Sequence, residues 1–458
     1  MLKVYLDNND FLEFKKGIFK RTEQYFKSII SNIKSDIDSS EYQYFYTFLL
    51  PDLIELDYYH FVSARAIYTG ISIKDPLINS VKNLVKESCK KVIHLYKEIQ
   101  LKDKKKLKTE LKKFFYQRNI NESTILSLSY FHRHKEYLKQ IINHHPVVEI
   151  DYNSISKFSS KFKTYRYKEN FLKINPTNFY QEQLSDNINF FLTYRRLIYF
   201  PCKLLLFSNH GWCNSKFSKL LISYVSTKTS KPIISVQASL NHQSCLCIGQ
   251  VIWERYVSTK YATWADPISK KDFRIGSMYA NKSLKKNDVN NESLLLPQVP
   301  FYNIPRCFSH YWTLTFSDFN SQISILEDNI DNILCKSKSP IFRIKHCDLN
   351  YYSRNLFKNF KNVDVDYGDV NKGQSFKFSN KNYIFYMSTA IVQSVNSGSE
   401  TFGVFSVQDT LLIDKFKNFI TEDYPFECSD LSNNLCFSSS LEEYTNNLSI
   451  LIKKLIKN

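Results

Sequence analysis

Residues Lys203–Ser239 read KLLLFSNHGWCNSKFSKLLISYVSTKTSKPIISVQAS, and the order of element types within them decides the fold class. Leu204–Phe207 is an apolar run too short for a helix and suited to a strand buried on both faces. Phe217, Leu220, Leu221 and Tyr224 then recur at helical spacing, and Pro232 opens a second buried run of Ile233, Ile234 and Val236. Strand, helix and strand make a β-α-β unit, whose parallel strands end at one edge of the sheet. The polar endings Ser208-Asn209-His210 and Gln237 therefore stand where open α/β sheets bind ligands.

Strand–helix alternation runs outward from this unit, from about residue 185 to KYATWAD (260–266). Upstream, residues 1 to about 140 read mostly as helices, carried by the spacing in 13–37 and 75–99. YFYTFLLPDLIEL (44–56) interrupts them as a strand–loop element, and HPVVEIDY (145–152) reads as a short strand. The polar stretch ANKSLKKNDVNNES (280–293) is the linker. A second alternating set follows it. LLLPQVP (294–300), PIFRIKHCD (340–348), YIFYMSTA (383–390) and TFGVFSV (401–407) read as strands, and VDVDYGD (363–369) as a short edge strand. Ile323, Leu326, Ile330 and Leu334 mark a helix, and LEEYTNNLSILIKKLIKN a terminal amphipathic one. The expected fold is α/β, with two Rossmann-like domains in the GT-B arrangement, where substrate lies in the cleft between them. Residues 1–285 form the acceptor-side domain, helix-rich to about 140 and α/β from about 145. Residues 286–440 form a nucleotide-donor domain, and 441–458 a C-terminal helix packing back on the first.

The 458 residues exceed one ordinary core, and 43% hydrophobic content excludes a disordered chain. The N-terminus has no basic head followed by an apolar segment, so no secretory signal is expected. The most apolar stretch, LIYFPCKLLLF, is broken by Pro201 and Lys203, short of the roughly 20 residues of a membrane span. Ten scattered cysteines without a CxxC pair argue against zinc and for reduced thiols in the cytoplasm. No GxGxxG or P-loop follows a strand, which argues against dinucleotide oxidoreductases and P-loop NTPases.

The net charge of +18 points to nucleic acid, an anionic membrane surface or an anionic substrate. The densest basic run is KDKKKLKTELKK (102–113), where Leu107 and Leu111 sit four apart, as on a helix with one solvated face. No RNA-binding or helix-turn-helix signature accompanies it, so no nucleic acid is expected. Peripheral contact with an anionic membrane is, since each clustered lysine contributes about 1 kcal/mol there.

LLLFSNHGW, KPIISVQAS and IWERYVSTKYATWAD resemble a family of bacterial transferases encoded among surface-polysaccharide genes. These are GT-B-like glycosyltransferases, distantly similar to Kdo transferases. LLLPQVPFYNIPR, FRIKHCD and YIFYMSTAIVQSVNSGSETFGVF extend the resemblance, which spans about 200 to 420. The family's strand ending Gln-His-Gly-Gly appears here as Gln237 followed by Ala238, Ser239 and Leu240, with His242 the nearest histidine. Ala265-Asp266 replaces the end of its Tyr-x-Thr-Trp-Gly-Trp block.

The resemblance implies that Glu254, at the family's glutamate, is the catalytic carboxylate, with His242 and Asp266 as stand-ins. Sugar transfer needs such a group near the acceptor hydroxyl or the anomeric carbon. The plainer reading of Glu254 is an ion pair with Arg255 or Lys260. Arg343 and Lys345 alternate along a strand that ends at His346, a cationic set suited to a nucleotide phosphate. Ser388 and Thr389 open the next helix and suit an anion, or simply cap it. Gln393 and Ser394 fall near the glutamate with which many GT-B proteins bind a sugar hydroxyl. Asn209, His210 and Gln237 would form the acceptor wall, with Trp264 either stacking a sugar or filling the core.

The expected activity is transfer from a nucleotide sugar, a CMP-linked acidic sugar among the candidates, to a surface polysaccharide or lipid-linked glycan. It would take place in the cytoplasm, at the inner membrane face. Neither cofactor nor metal is expected, since Asp364-Val-Asp366 lacks a strand-end setting. The rival readings are a non-catalytic GT-B-like binding protein and a basic nucleic-acid-binding protein.

Overall fold

A computed structural model describes residues 8–33, 36–68, 86–89, 101–129, 145–151, 154, 176–208, 215–237, 249–264, 266–277, 292–295, 341–343, 364–366, 379–384, 389–403, 426–427 and 441–457. It is a mixed α/β structure with two sheets.

The first sheet holds β1 (Ile125–Ser129), β2 (Val147–Asp151), β3 (Leu204–Ser208), β4 (Ile233–Val236), β5 (Lys260–Thr263) and β6 (Asp272–Arg274). Their spatial order is β2-β1-β3-β4-β5-β6, and every pairing is parallel. The strands of the opening β-α-β unit are buried along their whole length. Parallel sheets are covered on both faces, which is why such strands read as near-continuous apolar runs, broken here only by Ser235 in β4.

The two covers are identifiable from the alternation along β3. Leu205 and Phe207 join a core built from α1 (Asn8–Ile33), α2 (Tyr42–Tyr68), α3 (Leu101–Tyr116), α4 (Pro176–Tyr194), α5 (Lys216–Lys228) and α6 (Gly249–Val257). Leu204 and Leu206 face the other way, with Ile234, Val236 and Ala262. That face is closed by Tyr444, Leu448, Leu451 and Ile452 of the C-terminal helix, which runs Leu441–Lys457. Each fully buried apolar residue of β3 contributes about 1.5–3 kcal/mol by leaving water.

The second sheet contains β7 (Glu292–Leu295), β8 (Ile341–Arg343), β9 (Asp364–Asp366), β10 (Lys381–Ile384), β11 (Glu400–Gly403) and β12 (Phe426–Glu427). Its order is β12-β11-β10-β7-β8-β9, with β12 antiparallel and the rest parallel. Of the strand expected at VDVDYGD, Asp364–Asp366 form β9, which lies at an edge, as its short length and charge suggest. The helix α7 (Thr389–Asn396) connects β10 to β11, and the C-terminal helix is α8. Of the linker expected at 280–293, Glu292 and Ser293 instead open β7; its remainder and the helix expected at 317–336 lie outside the described residues.

Two sequence expectations are corrected. Residues 44–56 belong to α2, and every residue from Tyr44 to Tyr59 is buried. A helix covered all round carries no 3.6-residue stripe, so its apolar run is locally indistinguishable from a strand. Pro51 stands inside α2, where it cannot donate to the carbonyl four residues back, that of Thr47. The indole N–H of Trp253 on α6 takes that carbonyl at 3.0 Å. Second, the α/β part begins at β1, upstream of 145, and β1 is the strand beside β3. Glu254 lies on α6, which packs on the sheet ahead of β5.

Candidate functional site

Strand order locates the candidate site. In the first sheet the chain turns from β1 outward to β2 and then crosses back to β3, so the order reverses between β1 and β3. In the second it reverses between β7 and β10, giving the order 3-2-1-4-5-6 read from β9. Doubly wound sheets bind ligands at such reversals, in the crevice outside the carboxyl ends of the strands. Those ends are Ser129 and Ser208 in the first sheet and Leu295 and Ile384 in the second. Asn209 and His210 follow β3 directly, and Ser388 and Thr389 come within five residues of Ile384. Chain topology thus carries both expected loops to the reversals. Asn209, His210, His242, Lys345, His346 and Ser388 themselves lie outside the described residues.

At the end of β4, Gln237 is wholly buried. Its backbone N–H donates to the Ala262 carbonyl at 2.9 Å, and its side-chain Oε1 accepts from the Trp264 backbone N–H at 2.8 Å. One side chain therefore stitches the ends of β4 and β5 together. Trp264 is equally enclosed, with the core outcome that its size favours. Gln237 and Trp264 are thus brought together, but neither side chain is open to solvent. Asp266 is on the surface, 52% exposed and 3.5 Å from Arg274.

Glu254 is 0% exposed. Its Oε1 accepts from Gln250 Nε2 at 2.6 Å, one turn earlier on α6, and its Oε2 accepts from Ser235 Oγ on β4 at 3.1 Å. Neither expected ion pair forms. Arg255 is turned to Asp272, at 2.9 Å, and Lys260 donates to the Lys270 carbonyl. Burial pushes the Glu254 carboxyl up to about 7, against the opposing hydrogen bonds from Gln250 and Ser235 and the more distant charge of Arg255. The result is a buried acid poised near neutrality between α6 and Ser235 of β4.

In the second sheet, half-buried Arg343 ends β8, in register between Leu295 and Asp366. Thr389 and Gln393 are half-buried and four apart on α7, hence on one helix face. Ser394 points into the structure and is fully buried. Its hydroxyl accepts from Asn382 Nδ2 at 2.7 Å and shares a 2.6 Å hydrogen bond with the Thr401 hydroxyl. It ties β10, α7 and β11 together, which is a structural duty.

A polar cluster at the start of α5 escaped the sequence reading. Lys219 Nζ meets Asp52 Oδ2 at 2.6 Å, both buried, while Gln183 and Asn187 of α4 each donate to Asp52 Oδ1 at 2.8 Å. The Lys219 ammonium also lies 4.5 Å from the centre of the Phe48 ring. Lys216, one turn earlier, contacts Asp186 of α4. Burial first, and then the charge of Lys219, lower the Lys216 pKa to about 7. The signal was present: Asp52 interrupts an apolar run, and Lys216 and Lys219 share a helix face with the buried Leu220 and Ser223. Since α5 follows β3 in the chain, the cluster stands at the start of the helix that leaves the carboxyl end of β3.

Compared with known proteins, the chain matches no protein-family model and no curated protein.

Proposed function

We propose that the chain is a nucleotide-sugar-dependent glycosyltransferase with two Rossmann-like domains in the GT-B arrangement. The observation that carries this reading is the pair of sheets, parallel except for β12, whose order reverses between β1 and β3 and between β7 and β10, with Asn209–His210 and Ser388–Thr389 coming next in sequence after β3 and β10, together with α8 closing a face of the first sheet. The second sheet takes the nucleotide, with Arg343, Lys345, His346 and the Ser388–Thr389 turn around its phosphates and Gln393 towards the sugar. The first sheet takes a growing polysaccharide or lipid-linked glycan at the Asn209–His210 end. Cationic groups and a helix terminus stabilise the leaving phosphate without a metal. A CMP-linked acidic sugar suits this cationic set. Glu254 is the proposed carboxylate, with His242 and Asp266 as its alternatives, and the reaction belongs at the inner membrane face.

Thermal shift measures the donor half of this reading. A nucleotide at about 100 times its dissociation constant adds about 2.7 kcal/mol of stability. CMP or UDP is expected to raise the melting temperature of the full chain, and His346→Ala is expected to abolish the rise with little change in the ligand-free protein. An equal rise in the variant places the nucleotide elsewhere.

One observation favours a second reading, a non-catalytic GT-B-like protein that binds a glycan or nucleotide. Glu254 presents no surface to solvent. Nucleotide binding without turnover on any donor and acceptor pair would select that reading.

A further inference from the structure

We propose that the outer face of α3 is a docking surface for anionic phospholipid. Lys105, Lys108, Lys112 and Lys113 fall, with Thr109 and Tyr116, at positions i, i+3, i+4, i+7, i+8 and i+11, a single stripe along the helix. Lys106 flanks it. All seven side chains are exposed, and Tyr116 is 82% exposed. The opposite side of the helix is already occupied, since Leu111, Phe114 and Phe115 are buried in the core that includes Leu126 and Leu128 of β1. Among the described residues, none of the five lysines has an acidic partner, and Glu110 is half-buried.

Unneutralised like charges held on one rigid face repel one another, and a surface of opposite charge relieves that repulsion. A helix of 16 residues is about 24 Å long and presents its lysines along a line that a flat surface can meet at once. Lysine is a hydrated point charge that suits the diffuse field of a lipid surface; the fork geometry of arginine suits individual phosphates and bases. The stripe holds no arginine. Arg118, just past its end, is folded back, 3.9 Å over the Phe114 ring and donating to the Phe114 carbonyl. Tyr116 at the stripe's end has the apolar body and polar tip of residues that settle at headgroup level. These features favour lipid over nucleic acid. The proposal supplies the membrane contact of the glycosyltransferase reading, but it is tested without donor or acceptor, so either can fail alone.

The experiment is co-sedimentation of the full chain with vesicles of phosphatidylcholine containing about a third phosphatidylglycerol, and with pure phosphatidylcholine vesicles. Binding is expected only to the anionic vesicles, weakening as salt shortens the screening length. Replacing Lys105, Lys106, Lys108, Lys112 and Lys113 by Gln is expected to weaken it by a hundredfold or more, at roughly fivefold per lysine. Replacing the exposed Lys16, Lys20 and Lys27 of α1 checks that net charge alone is not responsible. Unchanged melting temperatures show that both variants fold, and a three-lysine variant (Lys105, Lys108, Lys112) serves if the larger one does not. Equal binding by the α3 variant, or equal losses in both variants, overturns the proposal. So does a failure to bind vesicles combined with an α3-dependent shift of random RNA, which would reassign the face to nucleic acid.

Discussion

Trp253 and Pro51 are complementary: the indole N–H of Trp253 donates at 3.0 Å to the Thr47 carbonyl, the group that Pro51 leaves without its helical donor. Thr47 and Trp253 are both fully buried, so no water can replace the bond. Trp253→Phe is expected to cost about 1–3 kcal/mol for the orphaned carbonyl, in addition to lost packing. In a Pro51→Ala background the alanine N–H serves Thr47, and the same substitution should cost less. Urea denaturation of the two single variants and the double variant measures the coupling, and strictly additive losses would show that the two residues act independently.

Glu254 makes stability depend on pH with a definite sign. Its pKa is raised from 4.5 to about 7 in the folded chain, so between those values the folded state holds a proton that the unfolded state has lost. The contribution is fully present below about pH 4.5 and is lost as pH rises through about 7, at about 1.4 kcal/mol per unit, on the order of 3 kcal/mol in all. Glu254→Gln keeps both hydrogen bonds, accepting from Gln250 and donating to Ser235. It should therefore flatten the wild-type decline in this window and be the more stable protein above pH 7. Parallel stability–pH curves for the two proteins would remove Glu254 as the source.

The same substitution separates catalysis from stability. If Glu254 acts on the acceptor hydroxyl or the anomeric centre, Glu254→Gln lowers turnover roughly 10²-fold or more with nucleotide binding intact. Nucleotide release with donor and acceptor present measures it. Full turnover in the variant moves the chemistry to His242 or Asp266.

The Asp52–Lys219 pair should be costly to break from either side. Asp52→Asn leaves the buried Lys219 ammonium without its anion and is expected to destabilise by about 3–5 kcal/mol. Lys219→Met strands Asp52, whose remaining partners are the amides of Gln183 and Asn187, with a loss of similar size. Removing both charges together (Asp52→Leu with Lys219→Met) should cost less than either single change. Chemical denaturation decides, and a single-variant loss below about 1 kcal/mol contradicts the account.

The sequence by itself determined the elements whose signal is local. Leu204–Phe207 is an unbroken apolar run because both faces of a parallel strand are buried, and α8 shows its stripe because only one side of it packs. The same local physics hid α2, whose apolar surface runs all round, and passed over β1, a short Ile-Leu-Ser-Leu-Ser segment that follows a lysine-rich helix. Only the tertiary structure decided the strand orders, and with them the two reversals that select the Asn209 and Ser388 loops from all other strand ends. It alone decided that Gln237, Glu254 and Ser394 are enclosed, since each is closed in by groups from other elements: Trp264, Ser235 and Thr401. It also put Trp253 within reach of Thr47, across 206 residues of chain. Burial and hydrogen-bond partnership depend on segments far apart in the chain, and no local periodicity encodes them.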